Sequence, residues 1–223
     1  MLYAAALAAL AALCRWLTLP GSVAAFLVGA LIYEAGGVPL GIALVLFFLG
    51  AVALGRLGVE RKRRIRLDEP RRNAAQVVAN GGIAAACSLV YLLTDDPSWL
   101  LAAFASICAA SADTWATEFG TAYGRKFFHI TTLQPSEPGP NGVVSPEGLF
   151  GAFLGSSLPG LMLVFAGRTA DVGPIVAIGF LGSVFDSILG DTLEGRWAWM
   201  GNNLVNLLTT LFAALAALLY AAL

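Results

Sequence analysis

Apolar runs about the length of a bilayer crossing follow one another through almost the whole chain, separated by loops too short to bury a core of their own. Such runs have one stable solution, helices whose backbone groups bond to each other, because lipid offers those groups no partner. Of the 223 residues, 58% are hydrophobic and 12% charged, and the mean hydropathy is +0.79. These values exclude an ordinary soluble domain and a disordered chain alike. The pattern predicts an all-α polytopic transmembrane bundle, a single integral membrane domain over residues 1–223. Helices are expected near 2–17, 21–34, 38–56, 75–93, 98–120, 148–167, 172–190 and 201–222. That makes about eight spans, or seven if the short second segment, bounded by Pro20 and Gly36-Gly37, fuses with its neighbour. The Ala- and Leu-rich opening lacks the basic flank of a signal peptide and reads as a first helix.

The charges are segregated. Eight of the 13 Lys and Arg residues (Arg56, Arg61, Lys62, Arg63, Arg64, Arg66, Arg71 and Arg72) lie between positions 56 and 72. The positive-inside rule therefore places this loop in the cytoplasm, and eight spans put both termini outside. Arg15, Arg125, Lys126 and Arg196 then fall inside, while the outer loops carry Glu34, Asp95, Asp96, Asp171 and the single Arg168. The expected location is a prokaryotic plasma membrane. The run from Arg61 to Arg66 sets topology and touches anionic lipid headgroups. Cys14, Cys87 and Cys108 sit in apolar runs without metal-ligand spacing, and no disulfide is expected.

On this topology the polar residues embedded in the apolar runs converge at the cytoplasmic side. Arg72, Gln76 and Asn80 recur every fourth residue at the start of the 75–93 helix, with Pro70 just upstream suiting a helix start. Asp113, Thr114, Thr117 and Glu118 close the 98–120 helix, Asp113 with Thr117 on one face and Thr114 with Glu118 on another. Gly179, Ser183, Asp186 and Gly190 form a stripe on the 172–190 helix that leads to Asp191 and Glu194, and Asn202 and Asn206 begin a stripe on the last helix.

A carboxylate at mid-bilayer costs on the order of 3 kcal/mol on insertion scales, so each one asks for a partner or a task. Carboxylates from different helices, set among amide and hydroxyl oxygens, suit a hard divalent cation, and Asp113, Glu118 and Asp186 are the candidate ligands for Mg²⁺. The bland alternative is interhelical hydrogen bonding, which fits Thr114, Thr117 and Asn80 about as well. In the 125–147 loop, Gly139-Pro140-Asn141-Gly142-Val143-Val144-Ser145 opens into a helix. Glycine backbone and a helix N-terminus can cradle phosphate, although Asn-Gly is also an ordinary turn. Arg71, Arg72, Arg125 and Lys126 are candidate phosphate contacts, and the lone His129 is given no role. Gly148, Gly151 and Gly155, with Pro159 beyond, read as a close-packing face and a kink.

Gly50 to Gly55 has Walker-like spacing, but Arg56 and Leu57 replace the Lys and Ser/Thr, so it is no P-loop. No H-E-x-x-H, G-x-S-x-G or Cys/His cluster occurs, and nothing points to nucleic acid. What remains is metal-assisted phosphate chemistry at a membrane surface.

Several elements resemble a known set: Arg72-x3-Gln76-x3-Asn80-Gly81, Ser111-Ala-Asp-Thr-x-Ala-Thr-Glu-x-Gly120, Ile130-Thr-Thr, Gly139-x-Asn-Gly-x-Val-Ser145, Gly182-Ser-x-x-Asp-Ser-x-Leu-Gly190 and Asn203-x2-Asn206. In this order they resemble the integral-membrane family that includes plant phytyl-phosphate kinase and animal transmembrane protein 19. The resemblance implies a polyprenyl-monophosphate kinase, transferring a phosphoryl group from a nucleoside triphosphate, CTP foremost, to an isoprenoid monophosphate such as phytyl phosphate. It implies catalytic roles for Asp113, Glu118, Asp186 and Arg72. It also implies substrate contacts from Arg71, Gln76, Asn80, Thr114, Thr117, Arg125, Lys126, Asn141, Gly142, Ser145, Ser187, Asn203 and Asn206. Pro140, Asp191 and Glu194 depart from the family pattern, and no role carries over to them. The rival readings are a CTP-dependent cytidylyltransferase acting on a lipid phosphate and, from another class, a lipid or ion transporter.

Overall fold

In the computed structural model, which describes residues 2–64, 71–196 and 199–223, helix α5 (Pro97–Tyr123) is the axis of the bundle. Asp96 caps it by accepting the Ser98 N–H at 2.9 Å, and Pro97 fills the first turn, where no backbone N–H is needed. Its middle, residues 101–112, is mostly Ala, Ser and Cys and is buried along its whole length. Small side chains let neighbouring backbones approach closely, and close packing holds helices together where lipid removes the hydrophobic drive.

Around this axis lie α1 (Leu2–Leu13), α2 (Leu19–Leu54), α3 (Val59–Arg64), α4 (Ala74–Thr94), α6 (Pro146–Gly160), α7 (Met162–Phe165), α8 (Val172–Thr192) and α9 (Asn202–Ala221). Helix α6 runs antiparallel to α5 on the predicted glycine face. A Cβ on Gly151 would stand 2.7 Å from the Trp115 carbonyl, and one on Gly155 would stand 2.7 Å from both the Ser111 carbonyl and the Trp115 side chain. Helix α8 runs parallel to α5, with Gly182 against Ala109. Helix α9 returns antiparallel to α8, tied at one end by Thr209 to Asp186 and at the other by Tyr220 to Asp171.

The 36-residue α2 is a hairpin. At Gly37 the backbone takes φ 59° and ψ −148°, a region closed to side-chain-bearing residues, and the helix reverses there. The proof lies at its ends. The rings of Trp16 and Phe48 are 6.0 Å apart, whereas a straight helix would separate them by roughly 48 Å. The arm 19–36 lies along α4, with Gly21 against Arg72 and Val28 against Gly81; the arm 38–54 lies along α5, with Gly50 against Trp115. The predicted 21–34 and 38–56 helices are these two arms, and the Walker-like Gly50 is a packing residue.

Six helical segments are long and apolar enough to cross a membrane among the described residues: Leu19–Leu54, Ala74–Thr94, Pro97–Tyr123, Pro146–Phe165, Thr169–Thr192 and Asn202–Ala221. Helix α1 ends earlier than the expected 2–17, because Arg15 turns left-handed at φ 58° and Leu17 pairs with Arg72 instead. Arg66 and Pro70 lie outside the described residues.

Between α5 and α6 a small antiparallel sheet forms, ordered β2 (Pro135–Ser136), β1 (Phe127–His129), β3 (Val143–Val144). It sits at the end of the bundle where α5 and α8 finish. The alternation of helix directions brings the polar stripes of α4, α5, α8 and α9 to this same end.

Because the α5 and α6 backbones meet at glycine, Gly155→Val should overpack the contact and cost about 1–3 kcal/mol. Thermal unfolding of the purified protein in detergent should show the loss, and the exposed neighbour Phe153→Leu should show little change.

Candidate active site

The α5 and α8 stripes meet. Asp186 accepts a hydrogen bond from Thr209 Oγ1 at 2.8 Å and lies within hydrogen-bonding reach of the Asp113 carboxyl. Two carboxyls in such contact need a proton or a cation between them. They open into a polar cavity of about 370 Å³, walled by Thr117 and Gly120 of α5, Ser183, Ser187 and Gly190 of α8, Asn202 of α9 and the loop 138–145.

The loop closes the cavity because of how it is clasped. Asp191, at the end of α8, holds His129 Nδ1 at 2.7 Å, the Thr131 backbone N–H at 3.2 Å and the Thr131 hydroxyl. Gly142 has φ +72°, and a Cβ there would overlap the backbone of Asp191. Only glycine fits both demands. Ser145 caps α6, accepting the Gly148 N–H at 3.1 Å, so the N-terminus of α6 sits on the cavity wall. His129, given no role from the sequence, and Asp191, left without one, therefore form the tie that holds sheet to bundle.

Glu118 goes elsewhere. It is buried on the other face of α5 and forms an ion pair with Lys62 of α3, whose ammonium also donates to the Gly55 carbonyl at 3.1 Å. Arg61 donates to the Gly124 carbonyl at the α5 C-terminus at 2.7 Å and covers the Phe127 ring. The expected ligand set of Asp113, Glu118 and Asp186 is thus not assembled, and among the described residues no group of three or more His, Cys, Asp and Glu is arranged to hold a metal. The reason is helical phase: five residues from Asp113 is 500° of rotation, which points Glu118 away from it. Glu194, just beyond α8, lies on the cavity wall instead, where burial first and the Asp186 charge second raise its carboxyl above the ordinary glutamate range.

The remaining expected residues divide by place. Thr117, Asn141, Gly142, Ser145 and Ser187 line the polar cavity, and Thr114 does not. Arg72, Gln76 and Asn80 lie at one end of a second cavity, about 460 Å³ and otherwise apolar, between α1, α2 and α4. Gln76 also forms a capping box with Asn73, its side chain accepting the Asn73 N–H at 2.9 Å, and Asn80 donates to the Gln76 carbonyl at 2.9 Å. Thr210, next to the Asp186-bound Thr209, donates to the Ala79 carbonyl at 3.2 Å, which sets the two cavities' polar ends at one depth. Asn206, one turn earlier, has a buried side-chain oxygen without a hydrogen-bond partner among the described residues. Asn203 is exposed, as are Arg71, Arg125 and Lys126, and none of these four lines either cavity. Ser183, Asn202 and Glu194 belong to the site although they are absent from the predicted set; the spacing of Ser183 from Asp186 was the signal for the first.

The model of the integral membrane protein family DUF92 matches residues 2–214. The chain belongs to the DUF92 family. An uncharacterized membrane protein of Synechocystis is 32% identical over 185 residues, covering 79% of this chain and 71% of that protein. One from Methanocaldococcus jannaschii is 30% identical over 208 residues, 92% and 86% of the two chains. Protein VTE6, chloroplastic, of Arabidopsis thaliana is 23% identical over 215 residues, 91% of this chain and 65% of that protein. No solved structure matches significantly. The DUF92 chain described here is thus an integral membrane protein of the family that its motifs resemble.

Removing the Lys62 ammonium by Lys62→Met strands the buried Glu118 carboxylate and should cost on the order of 3 kcal/mol. Adding Glu118→Gln should recover most of it, read as melting temperature in detergent. For Glu194 the sign is opposite to that of a salt-bridged acid. A raised carboxyl favours the folded state below the ordinary glutamate range and loses that contribution as pH rises through its folded value. Glu194→Gln should therefore melt higher than the parent above that range, with the difference shrinking as the pH is lowered.

Proposed function

We propose that this protein is a membrane kinase that transfers a phosphoryl group from a nucleoside triphosphate, CTP foremost, to an isoprenoid monophosphate, giving the diphosphate. The observation that carries this reading is the contact of Asp113 with Asp186 inside a polar cavity closed by a glycine-bearing loop and a helix N-terminus. The residues fit Mg²⁺, which binds through one or two carboxylates and completes its shell with water and substrate phosphates. Asp113 and Asp186 would hold it, and when bound it would supply charge neutralisation on the phosphates.

Thr117, Ser187, Asn141 and the backbone around Gly142 then orient the triphosphate, and Ser145 presents the α6 N-terminus to its charge. Arg72, with Gln76 and Asn80, receives the acceptor phosphate at the polar end of the apolar cavity. The acceptor oxygen attacks the γ-phosphorus, the bond from that phosphorus to the bridging oxygen breaks, and the nucleoside diphosphate leaves. A phosphate acceptor is already anionic at neutral pH, so no general base is required, and catalysis rests on positioning and charge. The motif resemblance to the family of plant phytyl-phosphate kinase supports the same class of acceptor. In this reading the site faces the cytoplasm, where nucleotide is found, and the positive-inside bias agrees.

Asp113→Asn and Asp186→Asn should each reduce NTP-dependent turnover of a prenyl monophosphate by at least a thousandfold in folded protein, whereas Asn203→Ala should stay within a few-fold of the parent. Product analysis decides the reaction. A lipid diphosphate with nucleoside diphosphate supports the kinase, and a nucleotidyl-lipid with pyrophosphate overturns it.

A further inference from the structure

We propose that the cavity between α1, α2 and α4 is a ruler for one isoprenoid chain, with Tyr33 as its floor; this rests on the reading of the protein as acting on a prenyl phosphate. The cavity is apolar except at the end that carries Arg72, Gln76 and Asn80. Its walls come from both arms of the α2 hairpin, from Ala11 of α1 and from Gly81 of α4. Exposed Ile42 and Leu49 sit on its rim, so the opening faces the bilayer and a tail enters sideways.

The Arg72 end is fixed by backbone bonds: its N–H donates to the Trp16 carbonyl at 3.3 Å and its carbonyl accepts the Thr18 N–H at 3.0 Å. Toward the hairpin turn the cavity is lined by Tyr33 and Gly41, with the Tyr33 ring 2.9 Å from where a Gly41 Cβ would lie. Arg72 packs against Gly21, and Tyr33 is 12 residues further along the same arm. The Arg72 end and Tyr33 are therefore roughly 18 Å apart, room for a main chain of about 14 carbons or about three to four isoprene units. The volume, about 460 Å³, falls in the range of roughly 300–1,000 Å³ usual for a single small-molecule ligand.

A tail arriving from lipid gains little from leaving it, since the acyl chains are as apolar as the cavity. Discrimination then comes from packing: a short chain leaves voids and loses dispersion contacts, and a long one must bend at Tyr33. A phospholipid has two chains where the cavity takes one, and its second chain has no wall to pack against.

The test uses the full chain in lipid nanodiscs without nucleotide, labelled with farnesyl or geranylgeranyl monophosphate bearing a diazirine at the tail end. The expected adducts fall on α2 near Tyr33 and Gly41, and dioleoyl phosphatidic acid should compete at least tenfold less well than the unlabelled prenyl phosphate. Tyr33→Ala should move the preference at least tenfold toward longer probes, and Val45→Phe, which fills the cavity away from the bend, should move it toward shorter ones. Adducts elsewhere, equal competition by phosphatidic acid, or an unchanged preference in both variants would overturn the ruler. Labelling as expected in a protein without kinase turnover counts against the kinase reading alone. Turnover with adducts elsewhere counts against the ruler alone.

Discussion

The close approach of helix backbones at Ala and Gly along α5 is the constraint from which the rest of the molecule follows. Lipid gives no hydrophobic reason for helices to associate, so packing and interhelical hydrogen bonds must do it. Gly151 and Gly155 bring α6 against the Trp115 and Ser111 carbonyls, Gly182 brings α8 against Ala109, and Gly50 brings the second arm of α2 against Trp115. With α8 this close and parallel, Asp113 and Asp186 reach each other. A larger residue at Gly182 would separate the carboxyls as well as the helices.

A second consequence concerns charge. Buried ionisable groups are tolerated where each finds a partner, and the described residues form three separate arrangements of this kind. Glu118 is paired with Lys62, Asp191 is held by hydrogen bonds with His129 and Thr131, and Asp171 is paired with Arg168 and bonded by Tyr220 at the opposite end of the bundle. The first two tie a short soluble-facing element, α3 or the small sheet, to the bundle end. Asp113, Asp186 and Glu194 differ in kind, because they gather three carboxyls around one polar cavity. Gathering like charge is costly unless a cation or proton is shared.

Much of this was legible in the chain. Apolar length located the helices, and the four-residue spacing of polar side chains placed the stripes of α4, α5, α8 and α9 at one end. The glycine face of α6 was legible for the same reason, since spacing of three and four residues defines one helical face. The limits were equally physical. Helical period already put Asp113 and Glu118 on different faces of α5, but not which neighbours those faces meet: Asp186 for the one and Lys62 for the other. His129 and Asp191 are 62 residues apart, and nothing local in either segment announces their contact.

The sequence by itself determined that the protein is a bundle of membrane helices and that its polar groups gather at one end, because hydropathy and helical period are local properties that any tertiary arrangement must respect. It also carried the motifs by which the family is recognised. Only the tertiary structure decided which carboxylates share a cavity, that α2 reverses at Gly37, and that a second, apolar cavity lies between α1, α2 and α4. Those outcomes depend on which helix faces which and in what rotational phase, and side chains distant in the chain settle both through packing.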